Sequence, residues 1–267
     1  MCHAASWLRF GLVAVGGLAL DLWSKHWAFG VLPQGTPPRI VIPHLLEFQT
    51  MLNKGALFGI GAGRTSLFLV ASALALVLVL WMFSQTPRHR RLLHVALGAI
   101  LAGALGNMYD RATVKLLDRP LPAGNRLVFV ARTGTDERGT ILREYPPGQR
   151  GAAFRMWPDR AHPSAYVVQQ LPRGLRMRLN QPPREVGFVR DFLKIPTTVP
   201  EWGWIPARFR GKELWPWVFN VADTLLVVGV GVLAVHLWRD RRPQPRRPGE
   251  TGEPAWESGS AGEQPGA

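Results

Sequence analysis

Cysteine is almost absent from this sequence: Cys2 is the only one, so no intrachain disulfide can form. Cys2 precedes the first apolar run instead of following it, which argues against a lipid-attachment site behind a signal peptide. That run ends without a convincing small-residue cleavage site, so we expect it to be retained. The histidines show no metal-ligand spacing and there is no internal repeat. We therefore expect neither a metal nor any other cofactor.

Acidic residues are also scarce. The chain has 18 Asp and Glu against 32 Lys and Arg, which gives a formal net charge of +14. Such a charge favours an anionic partner, either nucleic acid or an anionic membrane surface. Because several apolar runs are long enough to span a bilayer, we prefer membrane lipid to nucleic acid as the partner. We expect a monomer.

Four apolar runs predict four transmembrane helices, at 7–27, 66–83, 92–108 and 217–238. The run at 66–83 has no charged residue, and the basic turn at 88–91 is short enough only for a return hairpin. Gly98, Gly103 and Gly106 in the third run would let helices pack closely in lipid. The expected fold class is an all-α membrane protein of four transmembrane helices, with a small β-containing lobe and an insert outside the membrane.

The polar segments between the runs suggest four regions. Residues 1–111 would hold three helices and a loop at about 30–64, in which 39–53 predicts one or two short strands. Residues 112–186 would form an insert that is β-rich or partly disordered, and its positive charge is hypothesised to rest on anionic lipid or another envelope polymer. Residues 187–238 would supply a second loop and the fourth helix. Residues 239–267 have the composition of a flexible tail.

The distribution of arginine predicts the orientation of the chain. Four spans place both termini on one side, together with the basic turn at 88–91 and the arginines that follow the fourth run. The positive-inside rule makes that side cytoplasmic and puts both large loops outside. Six polar side chains then fall at the outer ends of the spans: Asp21, Asn53, Asn107, Asp110, Asp191 and Asp223. Their convergence at one membrane level indicates a functional site.

Two carboxylates held close together share one proton and split their pKa values. One can then act as a base on water while the other donates to a carbonyl oxygen, which is general acid–base hydrolysis without a metal. Taken singly, each feature has a plainer interpretation: Asp21 and Lys25, four residues apart, would form an ion pair on one helical face. A small proton-coupled transporter would use the same acids, and a membrane anchor that displays a basic domain is the third alternative.

Five segments together resemble the type II signal peptidase family, the lipoprotein signal peptidases of bacterial membranes. They occur in the family order: DLWSK at 21–25, NKGALF at 53–58, GALGNMYDR at 103–111, GFVRDF at 187–192 and FNVAD at 219–223. The resemblance covers the membrane body but not the insert or the tail. It implies an aspartic endopeptidase of the bacterial inner membrane that cuts a prolipoprotein just before its diacylglyceryl-modified cysteine, with no metal.

The resemblance also assigns roles to residues. Asp191 and Asp223 would be the catalytic dyad, with Asn107 and Asn220 positioning the dyad or the substrate. Arg111 would hold substrate backbone or lipid, and Asp110 would brace the helix end through Arg111. The remaining site-shaping residues are Asp21, Lys25, Asn53 and Gly55, and the loop around Asn53 would form an extramembrane cradle over the substrate.

The chain departs from the family pattern in its connections. The segment between Asp110 and Asp191 is far longer than the short connection usual in the family, so Asp118 competes for the role of first catalytic aspartate. We prefer Asp191, because the residues around it match the family and those around Asp118 do not. The segment between Asp191 and Asp223 is also longer than usual, and Ala102 stands where the family tends to have Gly.

Overall fold

A computed structural model describes residues 4–32, 36–55, 65–146, 151–172, 174–181 and 183–240, with only the backbone at 65–69. Residues 56–64 of the predicted loop and residues 241–267 of the predicted tail lie outside the described residues. Four helices are present: α1 (Ala4–Val31), α2 (Thr65–Gln85), α3 (Arg91–Thr113) and α4 (Val221–Asp240). Each coincides with a predicted apolar run and extends beyond it, except at the start of α4.

The helices have the character of membrane segments. By length and composition α1, α3 and α4 could each cross a bilayer, and the part of α2 with described side chains, Val70–Gln85, is a shorter apolar helix. Large apolar side chains, such as Leu12, Leu74 and Val228, stay exposed on α1, α2 and α4. Lipid is the solvent that can cover such surfaces. The chain is therefore a membrane protein with several apolar helices and β-sheets.

Helix α3 lies at the centre of the helical body. It packs against α1, α2 and α4, and 67% of its apolar segment is buried, against 22% for α1 and 11% for α4. Small residues allow this close approach. A Cβ added at Gly103 would collide with the carbonyl oxygen of Ala222, and one added at Gly106 would collide with the carboxylate of Asp21. The predicted small-residue face of the third run is thus where α4 and α1 meet α3.

The described residues also contain thirteen β-strands. They are β1 (Arg39–Ile42), β2 (Leu46–Asn53), β3 (Lys115–Leu117), β4 (Leu121–Ala123), β5 (Arg126–Val128), β6 (Val130–Asp136), β7 (Gly139–Glu144), β8 (Ala153–Pro158), β9 (Tyr166–Gln170), β10 (Arg176–Leu179), β11 (Glu185–Gly187), β12 (Val189–Lys194) and β13 (Val218–Phe219). The described part of the chain thus combines helices with several β-sheets, so the all-α label was too narrow. One or two short strands were predicted within 39–53, and β1 and β2 lie there.

Within the insert, the largest unit is a five-stranded antiparallel sheet of order β10-β9-β8-β7-β6. One face of this sheet carries a buried cluster that includes Leu142, Phe154, Met156 and Val168. The pairing of β11 with β3 closes the insert and returns the chain to the end of α3. The part of the insert that the structure describes is therefore β-rich, and its folding on itself lets a long connection end beside its starting point.

A four-stranded antiparallel sheet of order β1-β2-β12-β13 joins the insert to α4 and corrects two predictions. The segment at 187–193 was expected to be a loop, but β12 pairs with β2 on one side and β13 on the other. The fourth helix was expected from residue 217, yet Val218 and Phe219 pair with β12 and the helix begins at Val221. The apolar character of 217–219 serves the sheet, because hydropathy does not distinguish a buried strand from a helix.

Candidate active site

Asn220 and Asp223 form a reciprocal cap at the first turn of α4. The backbone N–H of Asp223 donates to Asn220 Oδ1 at 2.9 Å, and the backbone N–H of Asn220 donates to Asp223 Oδ2 at 3.2 Å. This is the geometry of a capping box, with Asp at the position that Glu or Gln commonly takes. The positive end of the helix dipole favours an ionised carboxylate at this position. The same two side chains thus start the helix and fix Asp223.

Asp191 lies in β12 and is only 1% exposed. Its Oδ1 accepts from the side-chain amide of Asn220 at 2.6 Å, and its Oδ2 accepts from the side-chain amide of Asn53 at 3.0 Å. Burial, and next the neighbouring charge of Asp223, raise the pKa of Asp191 to about 8, although the two amides act in the opposite direction. At neutral pH the Asp191 carboxyl is therefore mostly protonated.

The amide of Asn107 links the site to a buried cation. Its Nδ2 donates to Asp223 Oδ1 at 2.8 Å, while its Oδ1 accepts from Lys25 Nζ at 3.1 Å and from Asn220 Nδ2 at 3.2 Å. Because an ammonium can only donate, the oxygen of Asn107 must face Lys25 and the NH₂ group must face Asp223. Lys25 therefore fixes the direction in which Asn107 donates.

Asp21 and Lys25 form the ion pair that their spacing predicts, with Nζ and Oδ2 2.7 Å apart and both side chains fully buried. The pair also connects the helices. The other oxygen of Asp21 accepts from the backbone N–H of Ala222 in the first turn of α4, at 2.8 Å. Lys25 lies 3.4 Å from Asp110 Oδ2 on α3. The pair thus ties α1 to α3 and to the helix end that carries Asp223.

Asp110 braces the strand that carries Asp191. Arg190 donates to it from its backbone N–H at 2.9 Å, from Nη2 at 2.6 Å and from Nε at 3.1 Å. Asp110 therefore anchors the residue immediately before Asp191, whereas the bracing through Arg111 that the resemblance implies stays a prediction. Arg111 itself donates from Nη2 to the carbonyl oxygen of Gly55 at 2.6 Å, and the Gly55 N–H donates to Asn53 Oδ1 at 2.9 Å.

The paired carboxylates open into a cavity of about 560 Å³. Its polar lining includes Asn53, Asn107, Arg111, Asp191 and Asp223, and most of the rest is apolar, from α2, α4 and the segment before α4. Asp118 lies elsewhere, in the turn after β3, where its backbone N–H donates to the carbonyl of Arg184 at 2.8 Å. Of the two candidates for the first aspartate, Asp191 is the one in the cavity with Asp223.

Some residues at the site had no role in the sequence interpretation. Arg190 was noticed only as part of a motif. Trp215 was placed in the second loop and Trp217 at the start of the fourth apolar run, and both line the cavity. Ala71 and Ser72 of α2 also line it, but two small residues in an apolar run give no signal of this. Across the described ranges, no group of three or more His, Cys, Asp or Glu side chains is arranged to hold a metal ion.

The fold and the site define a membrane protein with a buried pair of aspartates at one end of its helical body. The profile of the signal peptidase (SPase) II family matches residues 13–239, which is most of the chain. The chain belongs to the signal peptidase II family.

Curated relatives carry the name lipoprotein signal peptidase. The protein from Rhodopirellula baltica is 39% identical over 107 residues, covering 39% of this chain and 48% of the relative. The protein from Desulfitobacterium hafniense (strain DSM 10664 / DCB-2) is 38% identical over 115 residues, covering 42% of this chain and 72% of the relative. The chain thus spans about half the length of the first of these relatives and a larger share of the second.

A solved structure described as a bacterial membrane enzyme shares the fold. It has a TM-score of 0.52 at 19% identity, with 89% of this chain and 92% of that chain covered.

Proposed function

We propose that this protein is a membrane aspartic endopeptidase that removes signal peptides from prolipoproteins by hydrolysis just before the diacylglyceryl-modified cysteine. The observation that carries the proposal is the pair Asp191 and Asp223, which come from different segments and open into one cavity. Each carboxyl is held by two N–H donors, so neither side chain is free to turn away from its partner. Membership of the signal peptidase II family supports the same reaction.

The two carboxyls share one proton but have different surroundings: Asp191 is buried within β12, whereas Asp223 caps the first turn of α4. Asp223, at the positive end of α4, is the base that takes a proton from water. The water oxygen attacks the scissile carbonyl carbon, and protonated Asp191 donates its proton to the carbonyl oxygen. A tetrahedral diol results. It collapses when the proton held by Asp223 passes to the amide nitrogen and the C–N bond breaks, with Asp191 regaining its proton.

The cavity suits a lipid-modified substrate. Its walls are mainly apolar, and they include Val227 and Val228, which are also exposed on the outer face of α4. An opening between spanning helices would let acyl chains and an apolar signal helix enter sideways from the bilayer. Arg111 and Asn53 are the polar groups beside the dyad that would hold the substrate backbone.

We also propose the topology of the chain. All four helices span the membrane, with both termini cytoplasmic and the dyad at the extracytoplasmic side. Arg90, in the basic turn, pairs with Asp240 at the far end of α4, so the turn and the end of the last helix lie together, away from the dyad. The positive-inside rule makes that end cytoplasmic.

The test is cleavage of a lipidated prolipoprotein by the purified protein in bilayers. Asp191→Asn and Asp223→Asn should each abolish release of the signal peptide, because each removes one proton-transfer group. Asp118→Asn is the matched control and should cleave like wild type. Cleavage retained by either dyad variant would refute the assignment. Proton flux across liposomes by wild type, without cleavage, would favour a proton-coupled transporter instead.

A further inference from the structure

Residues 195–217, between β12 and β13, form a long ordered loop that leaves the four-stranded sheet and returns to it, and this loop is called the excursion below. The peptidase reaction does not explain its role. Its two arms are joined by backbone hydrogen bonds. The N–H of Val199 donates to the carbonyl of Lys212 at 2.8 Å, and the carbonyl of Val199 accepts from the N–H of Gly211 at 3.0 Å. The N–H of Leu214 donates to the carbonyl of Thr197 at 2.8 Å. The arms therefore hold the tip in a fixed position relative to the four-stranded sheet.

The tip presents large aromatic side chains to its surroundings. Trp202 is 59% exposed and Trp204 is 77% exposed, with their ring centroids 5.8 Å apart. Arg210 fixes this turn, because its Nε donates to the carbonyl of Ile205 at 2.6 Å and its Nη2 donates to the carbonyl of Gly203 at 2.7 Å. Exposing two neighbouring indole rings to water is unfavourable, and exposed apolar patches of this kind typically contact a membrane or another molecule.

The base of the excursion fixes its level relative to the membrane. Trp215 and Trp217 line the same cavity as Val227 and Val228, which lie about 10 Å along α4 from its start at Val221 and are exposed on its apolar face. Lipid must cover that face if α4 spans the bilayer. The base of the excursion therefore lies at the boundary between hydrocarbon and headgroups, where tryptophan is enriched because its ring is apolar and its N–H is polar.

The charges on the excursion fit the same environment. Arg208 and Lys212 are exposed near the tip, and the guanidinium of Arg208 lies 4.8 Å from the ring centroid of Phe209, itself 48% exposed. Cations beside aromatic rings can contact lipid phosphates while the rings enter the interface. Glu213 is paired with Lys194 at 2.9 Å, and Glu201 is exposed beside Trp202. The three cations of the segment, Arg208, Arg210 and Lys212, leave it with a net positive charge that favours contact with lipid phosphate.

We propose that residues 195–217 form a membrane-interface anchor, in which Trp202 and Trp204 insert into the phospholipid headgroup region beside the mouth of the dyad cavity. The occupant of this aromatic surface is the bilayer that surrounds the helices. If the proposed peptidase function is correct, the anchor also holds the cavity mouth against the leaflet from which the lipidated substrate arrives. Lipid contact itself does not depend on that function.

The test places a fluorescent reporter on the tip. In a Cys2→Ser background, Trp202→Cys and Trp204→Cys are labelled one at a time with an environment-sensitive dye, and the protein is placed in phospholipid nanodiscs. We expect blue-shifted emission at both positions and strong quenching when the lipids carry a nitroxide in the upper acyl region. The same dye on free cysteine in buffer provides the comparison for full exposure to water.

Water-like emission at either tip position would overturn the proposal. So would a blue shift that the nitroxide lipid does not quench, because protein, such as a second copy of this chain, would then cover the tryptophans. The same labels in an Asp191→Asn background should give the same quenching. Loss of proteolysis and loss of lipid contact are therefore measured separately.

Discussion

Raising the pH should switch off peptide hydrolysis, because the proposed reaction needs Asp191 in its protonated form. Burial, and then the charge of Asp223, raise the pKa of Asp191 to about 8. The direction of the effect follows: below about pH 8 the carboxyl keeps the proton that it must donate, and above that pH it loses it. About nine-tenths of the molecules would be competent at pH 7, about half at pH 8 and about one-tenth at pH 9.

The assay is kcat/KM for a lipidated prolipoprotein in nanodiscs between pH 6 and 10, since this ratio reports the ionisation of the free enzyme. The substrate should carry no group that titrates in that range near its cleavage site. We expect a fall of about tenfold per pH unit above 8. A profile that stays level from pH 7 to 10, in protein that remains folded, would refute the role of Asp191 as the proton donor.

Asn53→Ala provides a second measurement on the same group. The amide of Asn53 donates to Asp191 Oδ2 at 3.0 Å and lowers the pKa of this carboxyl by stabilising its charged form. Removing that donor should raise the pKa further and move the alkaline fall to higher pH. A shift to lower pH would contradict the proposed electrostatics, even if the variant were less active overall.

Three further predictions concern the framework of the site. Gly106→Ala places a methyl group against the carboxylate of Asp21 and should lower both the melting temperature and the activity, whereas Gly231→Ala, which meets open space, should do neither. Lys25→Met leaves the buried carboxylate of Asp21 without its cation, while Asp110 keeps Arg190, and should cost about 3–5 kcal/mol of stability, measured as a lower melting temperature and a lower midpoint in chemical denaturation. Asp110→Asn weakens the hydrogen bonds to the guanidinium of Arg190 in β12, and because these bonds position Asp191 it should lower kcat more than it raises KM. An equal or larger change in KM would argue against this positioning role.

The positions of the helices and the residues of the candidate site were predicted mainly from hydropathy and from the order of the motifs. Long, mainly apolar runs can be recognised without knowledge of their neighbours, so the predicted ends of the four helices lie within five residues of the observed ones. The polar side chains at the helix ends could be assigned to one level by counting crossings alone. The structure brings Asp21, Asn107, Asp110 and Asp223 together at one end of the helical body as that count implied.

The sequence could not decide how the site is held together, because the essential bonds join residues far apart in the chain. Asn53 reaches Asp191 only because β2 pairs with β12, and a pairing register between strands 138 positions apart leaves no mark in local periodicity. The start of α4 was misplaced for the same reason, since the residues before Asn220 look helical but belong to a sheet.

The sequence by itself determined the apolar helices, the residue types of the site and their order along the chain, because these depend on local composition and on the chain itself. The tertiary structure decided which donors face each carboxyl, that Asp110 anchors Arg190, and that the tryptophans before α4 line the cavity. These depend on packing and strand register, which arise only when distant segments meet. The different environments of Asp191 and Asp223, from which their proposed roles follow, are therefore a product of the fold.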